Sequence, residues 1–166
     1  MAENGAAAEL PPQAQLMQMA MGFITTSLMR TAAELSLADH LASVPRTAEE
    51  LAALTGANAK PLYRFLRTLS AHGLFSEDSE HRFSLTPLAE PLRSDVPGSI
   101  RTSVLAISSD MFLLPLGQLT HSVKTGELGF DKCFGAPVFD YLSARPDEGA
   151  MFSELMIGFH GTEPGR

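Results

Sequence analysis

Tryptophan is absent from the 166-residue chain, and cysteine occurs once, at Cys133. A lone cysteine excludes a disulfide framework within the chain, and no Cys/His cluster has the spacing of a metal site. No run approaches the roughly 20 apolar residues that a bilayer-spanning helix needs. The opening residues MAENGAAAEL are acidic and Ala-rich, without a basic segment ahead of an apolar one, which is not a secretory pattern. A soluble, cytoplasmic chain with no membrane partner is the expectation. Positive charge is short as well: 12 Lys and Arg stand against 19 Asp and Glu, a formal net charge of −7. Phosphate contacts dominate nucleic-acid affinity, so general binding to nucleic acid is not expected. A phosphate-cradling G-x-G-x-x-G loop is missing too, as is any strand-Gly-helix unit that would hold one.

What is present is enough apolar material for a core. Apolar residues make up 45% of the chain and charged residues 19%, which fits one domain of ordinary size. Ten Phe and eight Met give that core a soft, adaptable character.

Residues 1–12 read as disordered, with Pro11-Pro12 marking the start of order. From Gln13 to about Arg30, the residues Leu16, Met19, Ala20, Phe23, Ile24 and Leu28 recur at helical spacing. Met17 and Met21 widen the apolar surface beyond one stripe. Two readings of this helix stay open, plain core and a face packed on another subunit. A second helical stretch runs from Thr31 to Leu41. Thr47 with Glu50 then makes a capping box for the helix TAEELAALTG, which Gly56 closes. Asn58 caps the next helix, where Leu62, Phe65, Leu66 and Leu69 form a stripe ended by Gly73. Alternation around Phe83 and Leu85 after the polar turn SEDSEH predicts a β-hairpin over 74–86. Two helices, a short turn and a hairpin predict a winged helix-turn-helix over 31–86. The remainder reads as a brief helix at Leu88–Leu92, a long helix over 97–125 kinked or broken at Pro115, and a glycine-punctuated loop GELGFDKCFGAP. A short helix at Val138–Leu142 follows. The last helix opens at Pro146, with Phe152, Leu155, Met156 and Phe159 on one face.

Chemistry is scarce. His40, His72, His81, His121 and His160 are scattered, and none is spaced from a Cys, Asp or Glu as a metal site or triad demands. Cys133 reads as a small buried hydrophobe. The helix from Asn58 to His72 occupies the position that reads DNA in winged-helix regulators, and it carries Lys60, Arg64 and Arg67. Between Thr47 and Leu85, however, Glu49, Glu50, Glu77, Asp78 and Glu80 outnumber the bases, and SEDSEH is acidic where a DNA-binding wing is basic.

Six runs in order, AELSLADHLA, TAEELAALTGANAKPLYRFLRTLSAHGLF, RFSLTPLAEPLRSDVPGSIR, HSVKTGELGF, FGAPVFDYL and RPDEGAMFSELM, carry a resemblance. From about Leu16 to Met156 the chain resembles the N-terminal dimerisation domain of S-adenosylmethionine-dependent O-methyltransferases of the caffeic-acid, acetylserotonin and bacterial antibiotic type. The resemblance implies a mainly helical, winged-helix dimerisation domain over 13–160 that has lost DNA binding and interlocks with a second copy. It also implies that the domain forms one wall of the pocket for an aromatic acceptor. Met17, Met19, Met21 and Phe23 would then supply the partner's back wall. Met111, Phe112, Phe130, Phe152 and Met156 would face the acceptor or pack beside it. The family usually carries Trp in the helix before HSVKTG, where this chain has Leu116. Its cofactor domain begins after the Phe152/Met156 motif, so 161–166 reads as a tail cut short of that domain, whether in a fragment or a split subunit. The resemblance therefore implies that this chain binds no cofactor and catalyses nothing alone, and that S-adenosylmethionine belongs to the complete enzyme. The alternative function is a stand-alone winged-helix transcription regulator.

Overall fold

The computed structural model describes residues 10–160, with side chains through residue 157. The expectations for residues 1–9, for the tail 161–166 and for the side chains of Phe159 and His160 lie outside the described residues. Pro12, expected in a disordered segment, is instead the first residue of a helix, where its restricted φ suits the first helical position. Helix α1 runs Pro12–Ala20 and helix α2 runs Gly22–Glu34. The one helix expected over 13–30 is thus two, parted by a turn at Met21. Gly22 follows that turn, and glycine is the weakest helix former after proline.

Ser36, in the left-handed region at φ 49°, leads into α3 (Leu37–His40). Helix α4 (Ala48–Thr55) carries the expected capping box: the Glu50 amide donates to Thr47 Oγ1 at 3.3 Å and the Thr47 amide donates to the Glu50 carboxylate at 2.8 Å. Gly56, at φ 71°, closes it. Helix α5 (Ala59–Ala71) is capped by Asn58, whose side chain accepts from the Lys60 amide at 3.2 Å. Beyond Gly73 the chain forms strands β1 (Phe75–Glu77) and β2 (Phe83–Leu85), an antiparallel pair with Phe75 opposite Leu85. Arg46 also bridges to Phe83, so the link between α3 and α4 lies along the hairpin's open edge. Leu37, Leu51, Leu66, Leu69, Phe75 and Phe83 are fully buried at the centre of this first core.

The brief helix expected at Leu88–Leu92 is a 3-10 turn at Glu90–Leu92. The long helix expected over 97–125 is three: α6 (Arg101–Ile107), α7 (Asp110–Leu116) and α8 (Leu119–Thr125). Its breaks fall at Ser108-Ser109 and Gly117-Gln118, while Pro115 sits inside α7. Ser109 is extended and Asp110 opens the next helix, so Ser-Ser-Asp acts as a start signal within an apolar stripe.

The expected loop GELGFDKCFGAP contains a helix, α9 (Gly129–Phe134). Gly129 serves packing here: a Cβ on it would lie 2.9 Å from the Pro115 carbonyl oxygen. Helices α10 (Val138–Ser143) and α11 (Pro146–His160) follow as expected. Met111, Tyr141 and Leu142 centre a second core, joined to the first through α6, which packs on both α2 and α11. The chain is therefore mainly helical with one two-stranded antiparallel sheet among the described residues. No single helix among them is long and apolar enough to cross a membrane.

Candidate functional site

Helix α1 has no charged residue and buries none of its side chains. Met17, Met19, Met21 and Phe23 are 61%, 77%, 48% and 68% exposed, an apolar stretch bare on more than one side. Met17 and Met21, with Ile24 and Thr25, line a cleft of about 540 Å³ that ends at His72. A smaller cleft of about 250 Å³ continues past Thr25 and His72 onto Met29, Leu74, Leu88, Leu92 and Ile100. Met19 and Phe23 line neither cleft.

The second group of expected site residues gathers on the second core. Phe112 of α7 and Phe152 of α11 stack, with ring centroids 6.3 Å apart and planes 21° apart. Phe130 meets the edge of Tyr141 at 5.4 Å, and Phe134 lies 4.6 Å from the same ring. Met111 is 4% exposed and belongs to the interior of this cluster. Met156 follows Phe152 by one turn of α11 and is half-buried. None of these five residues lines either of the two clefts above.

Sequence reasoning missed Tyr141 as a central ring of that cluster. Its hydroxyl donates to the Glu148 carboxylate at 3.0 and 3.1 Å, and the Arg145 guanidinium sits 3.9 Å above the ring. Burial first, and the Glu148 carboxylate second, hold the Tyr141 phenol above its ordinary pKa. The spacing of Tyr141, Arg145 and Glu148 across Pro146 was the available signal.

Of Lys60, Arg64 and Arg67 on α5, Arg67 is drawn toward the hairpin. Arg67 lies 3.6 Å from Glu77, which also accepts from the Tyr63 hydroxyl at 2.8 Å and lies 2.8 Å from His81 Nδ1. The contacts with His81 and Tyr63 hold the Glu77 carboxyl below its usual range. His121 likewise lies 3.1 Å from Glu127. Two of the histidines read as scattered are therefore paired with carboxylates across turns. Among the described residues no three His, Cys, Asp or Glu side chains gather as a metal site.

A family model described as the O-methyltransferase dimerisation domain matches residues 17–95. Phenazine O-methyltransferase PhzM of Lysobacter antibioticus is 38% identical over 159 residues, covering 96% of this chain and 46% of the relative. O-demethylpuromycin-O-methyltransferase of Streptomyces alboniger is 35% identical over 150 residues, covering 90% and 40%. The crystal structure of LaPhzM superposes with a TM-score of 0.84 at 38% identity, covering 90% of this chain and 45% of that one. The chain spans less than half the length of these relatives. The residues described here do not fit a bound S-adenosylmethionine: their two strands pair antiparallel, and neither leads through a glycine-rich turn into a helix.

Proposed function

The chain belongs, through residues 17–95, to the O-methyltransferase dimerisation-domain family, and on that premise we propose that it works as the dimerisation and acceptor-pocket domain of an S-adenosylmethionine-dependent O-methyltransferase. Residues 13–160 make up the domain, and 31–86 are its winged-helix core. The order α4, turn, α5, hairpin supports that core. The single observation that carries the reading is the uncovered Met17–Phe23 strip lying inside a segment matched to a dimerisation domain. Two copies bury that strip against one another as a homodimer.

The acceptor is a flat aromatic molecule. The relatives' names include a phenazine and a puromycin methyltransferase, and a wall of Phe112, Phe152 and Met156 suits an aromatic face, since thioethers and rings contact π-systems favourably. Met17, Met19, Met21 and Phe23 close the partner's pocket from behind. Methyl transfer requires the acceptor oxygen in line with the donor's methyl carbon. This chain's share is to orient the ring and keep water from it; the donor and the proton acceptor belong to a cofactor domain supplied with it. Nothing favours a transcription regulator, since Arg67 is drawn to Glu77 and the hairpin is acidic.

Acceptor kinetics of an enzyme assembled from this chain and a cofactor domain test the reading. Met156→Ala raises KM for the acceptor about tenfold, the loss of one good side-chain contact of about 1.4 kcal/mol, and leaves KM for S-adenosylmethionine unchanged. An unmoved acceptor KM in both Met156→Ala and Phe152→Leu contradicts it.

A further inference from the structure

His72, exposed at the C-terminal end of α5, lies where the two apolar clefts meet. Among the described residues it is the only titratable side chain lining either of them; the rest is Met, Ile, Leu, Ala, Thr and Gln. The charged groups on the elements around it are engaged elsewhere or remote. Helix α1 has none, and the first in α2 is Arg30, bound to Glu34 and to the Ser108 carbonyl. Glu90 of the 3-10 turn pairs with Arg93 at 3.1 Å, and Arg101 of α6 donates to the Ala33 carbonyl and Ser36. On α5, Arg67 lies toward Glu77 and Arg64 stands two turns before His72. In β1, Glu77 is held by Tyr63 and His81.

We propose that His72 makes the pairing of two copies acid-sensitive, with the first helix of the second copy covering the clefts that His72 divides. This rests on the homodimer reading above. The occupant follows from the chain itself: Leu16, Met19 and Phe23 are exposed apolar residues of the same two helices. The cleft residues from Met17 to Leu92 also lie within the matched dimerisation segment. A neutral imidazole covered by methionine and leucine side chains loses little. An imidazolium covered there loses its hydration and finds no carboxylate among the described residues that line the clefts, so the covered state disfavours it. By linkage, protonation favours separation, across the range in which imidazoles ordinarily charge, roughly pH 5 to 8. Net charge acts in the opposite direction. A chain at −7 repels its copy less as its acidic groups and histidines take up protons. The sign of the pH effect therefore separates the two causes.

Sedimentation equilibrium of the full 166-residue chain at pH 7.5 and pH 5.5 reads it, with His72→Gln and His81→Gln alongside and circular dichroism at both pH values. The expected result is a dimer whose dissociation constant weakens about tenfold on acidification, equivalent to about 1.4 kcal/mol. His72→Gln abolishes or reverses the weakening, His81→Gln keeps it, and the helical spectrum is unchanged. Pairing that is unaltered or tighter at pH 5.5 overturns the proposal, and so does equal weakening in His72→Gln. A monomer at every pH overturns the homodimer reading itself, and this inference with it.

Discussion

Arg30 of α2 donates through its guanidinium to the backbone carbonyl of Ser108 at 2.6 Å, across 78 residues of sequence. Ser108 ends α6, whose last carbonyls lack partners within the helix and attract a cation. The same guanidinium holds Glu34 at 2.8 Å and approaches Asp110 at 3.5 Å, across the break between α6 and α7. These carboxylates, Glu34 foremost, raise the Arg30 pKa further.

Replacing Arg30 with Met keeps much of the stem and removes that clamp. The side chain is one-third exposed, so the loss is about 1–2 kcal/mol rather than the full value of a buried charged hydrogen bond. Urea unfolding of the variant measures it, and an unchanged midpoint would show that the clamp adds nothing.

Gly129→Ala places a methyl group 2.9 Å from the Pro115 carbonyl and 3.0 Å from Gln118 Cβ. Neither backbone nor helix-rooted atoms give way cheaply, so destabilisation of about 1–3 kcal/mol is expected. Gly22→Ala, where a Cβ meets nothing within 4 Å, gains about 0.5–1 kcal/mol through helix propensity. Thermal melts of the two variants should move in opposite directions.

Acid acts on the hairpin through Glu77. Its carboxyl is held below the usual range, by His81 first and then by the Tyr63 hydroxyl. A carboxylate whose folded pKa is depressed contributes stability that is complete above its unfolded pKa and is lost as pH falls through the folded value. Stability therefore declines below about pH 4.3, the ordinary glutamate value. Glu77→Gln is less stable than the parent at pH 7 and flattens that decline. A parallel decline in parent and variant would contradict the assignment.

Calorimetry with S-adenosylmethionine addresses the missing donor site. The chain alone is expected to give no saturable heat, because its strands form a hairpin and not the strand-turn-helix that cradles such a cofactor. A clear one-to-one isotherm would contradict this.

Local signals carried the first half of the fold. Thr47 with Glu50, Gly56, Asn58 and Gly73 each satisfy or close a helix end through their own backbone, so their sequence spacing was enough. Where tertiary contact decides, the sequence was silent. The break at Ser108 is held by an arginine 78 residues earlier. The α9 helix forms against Pro115, and Arg46 finds Phe83 across the hairpin edge. Of the candidate site, the exposure of Met17–Phe23 was legible because the segment carries more apolar residues than one helix face can bury, although the sequence did not show that a turn at Met21 divides it between α1 and α2. The Phe112–Phe152 stack brings two helices together, and Tyr141 joins the same cluster through Phe130 and Phe134 only by tertiary packing.

The most direct test of the central claim is sedimentation equilibrium of the chain at neutral pH beside Phe23→Asp. Phe23 is 68% exposed, so a charge there leaves the fold of one copy intact while placing a carboxylate in the proposed seam. A dimer at micromolar concentration that Phe23→Asp converts to monomer, with Glu80→Lys on the hairpin turn unaffected, is the predicted result. A parent chain that stays monomeric at tens of micromolar, or a Phe23→Asp variant that pairs as tightly as the parent, would contradict the account.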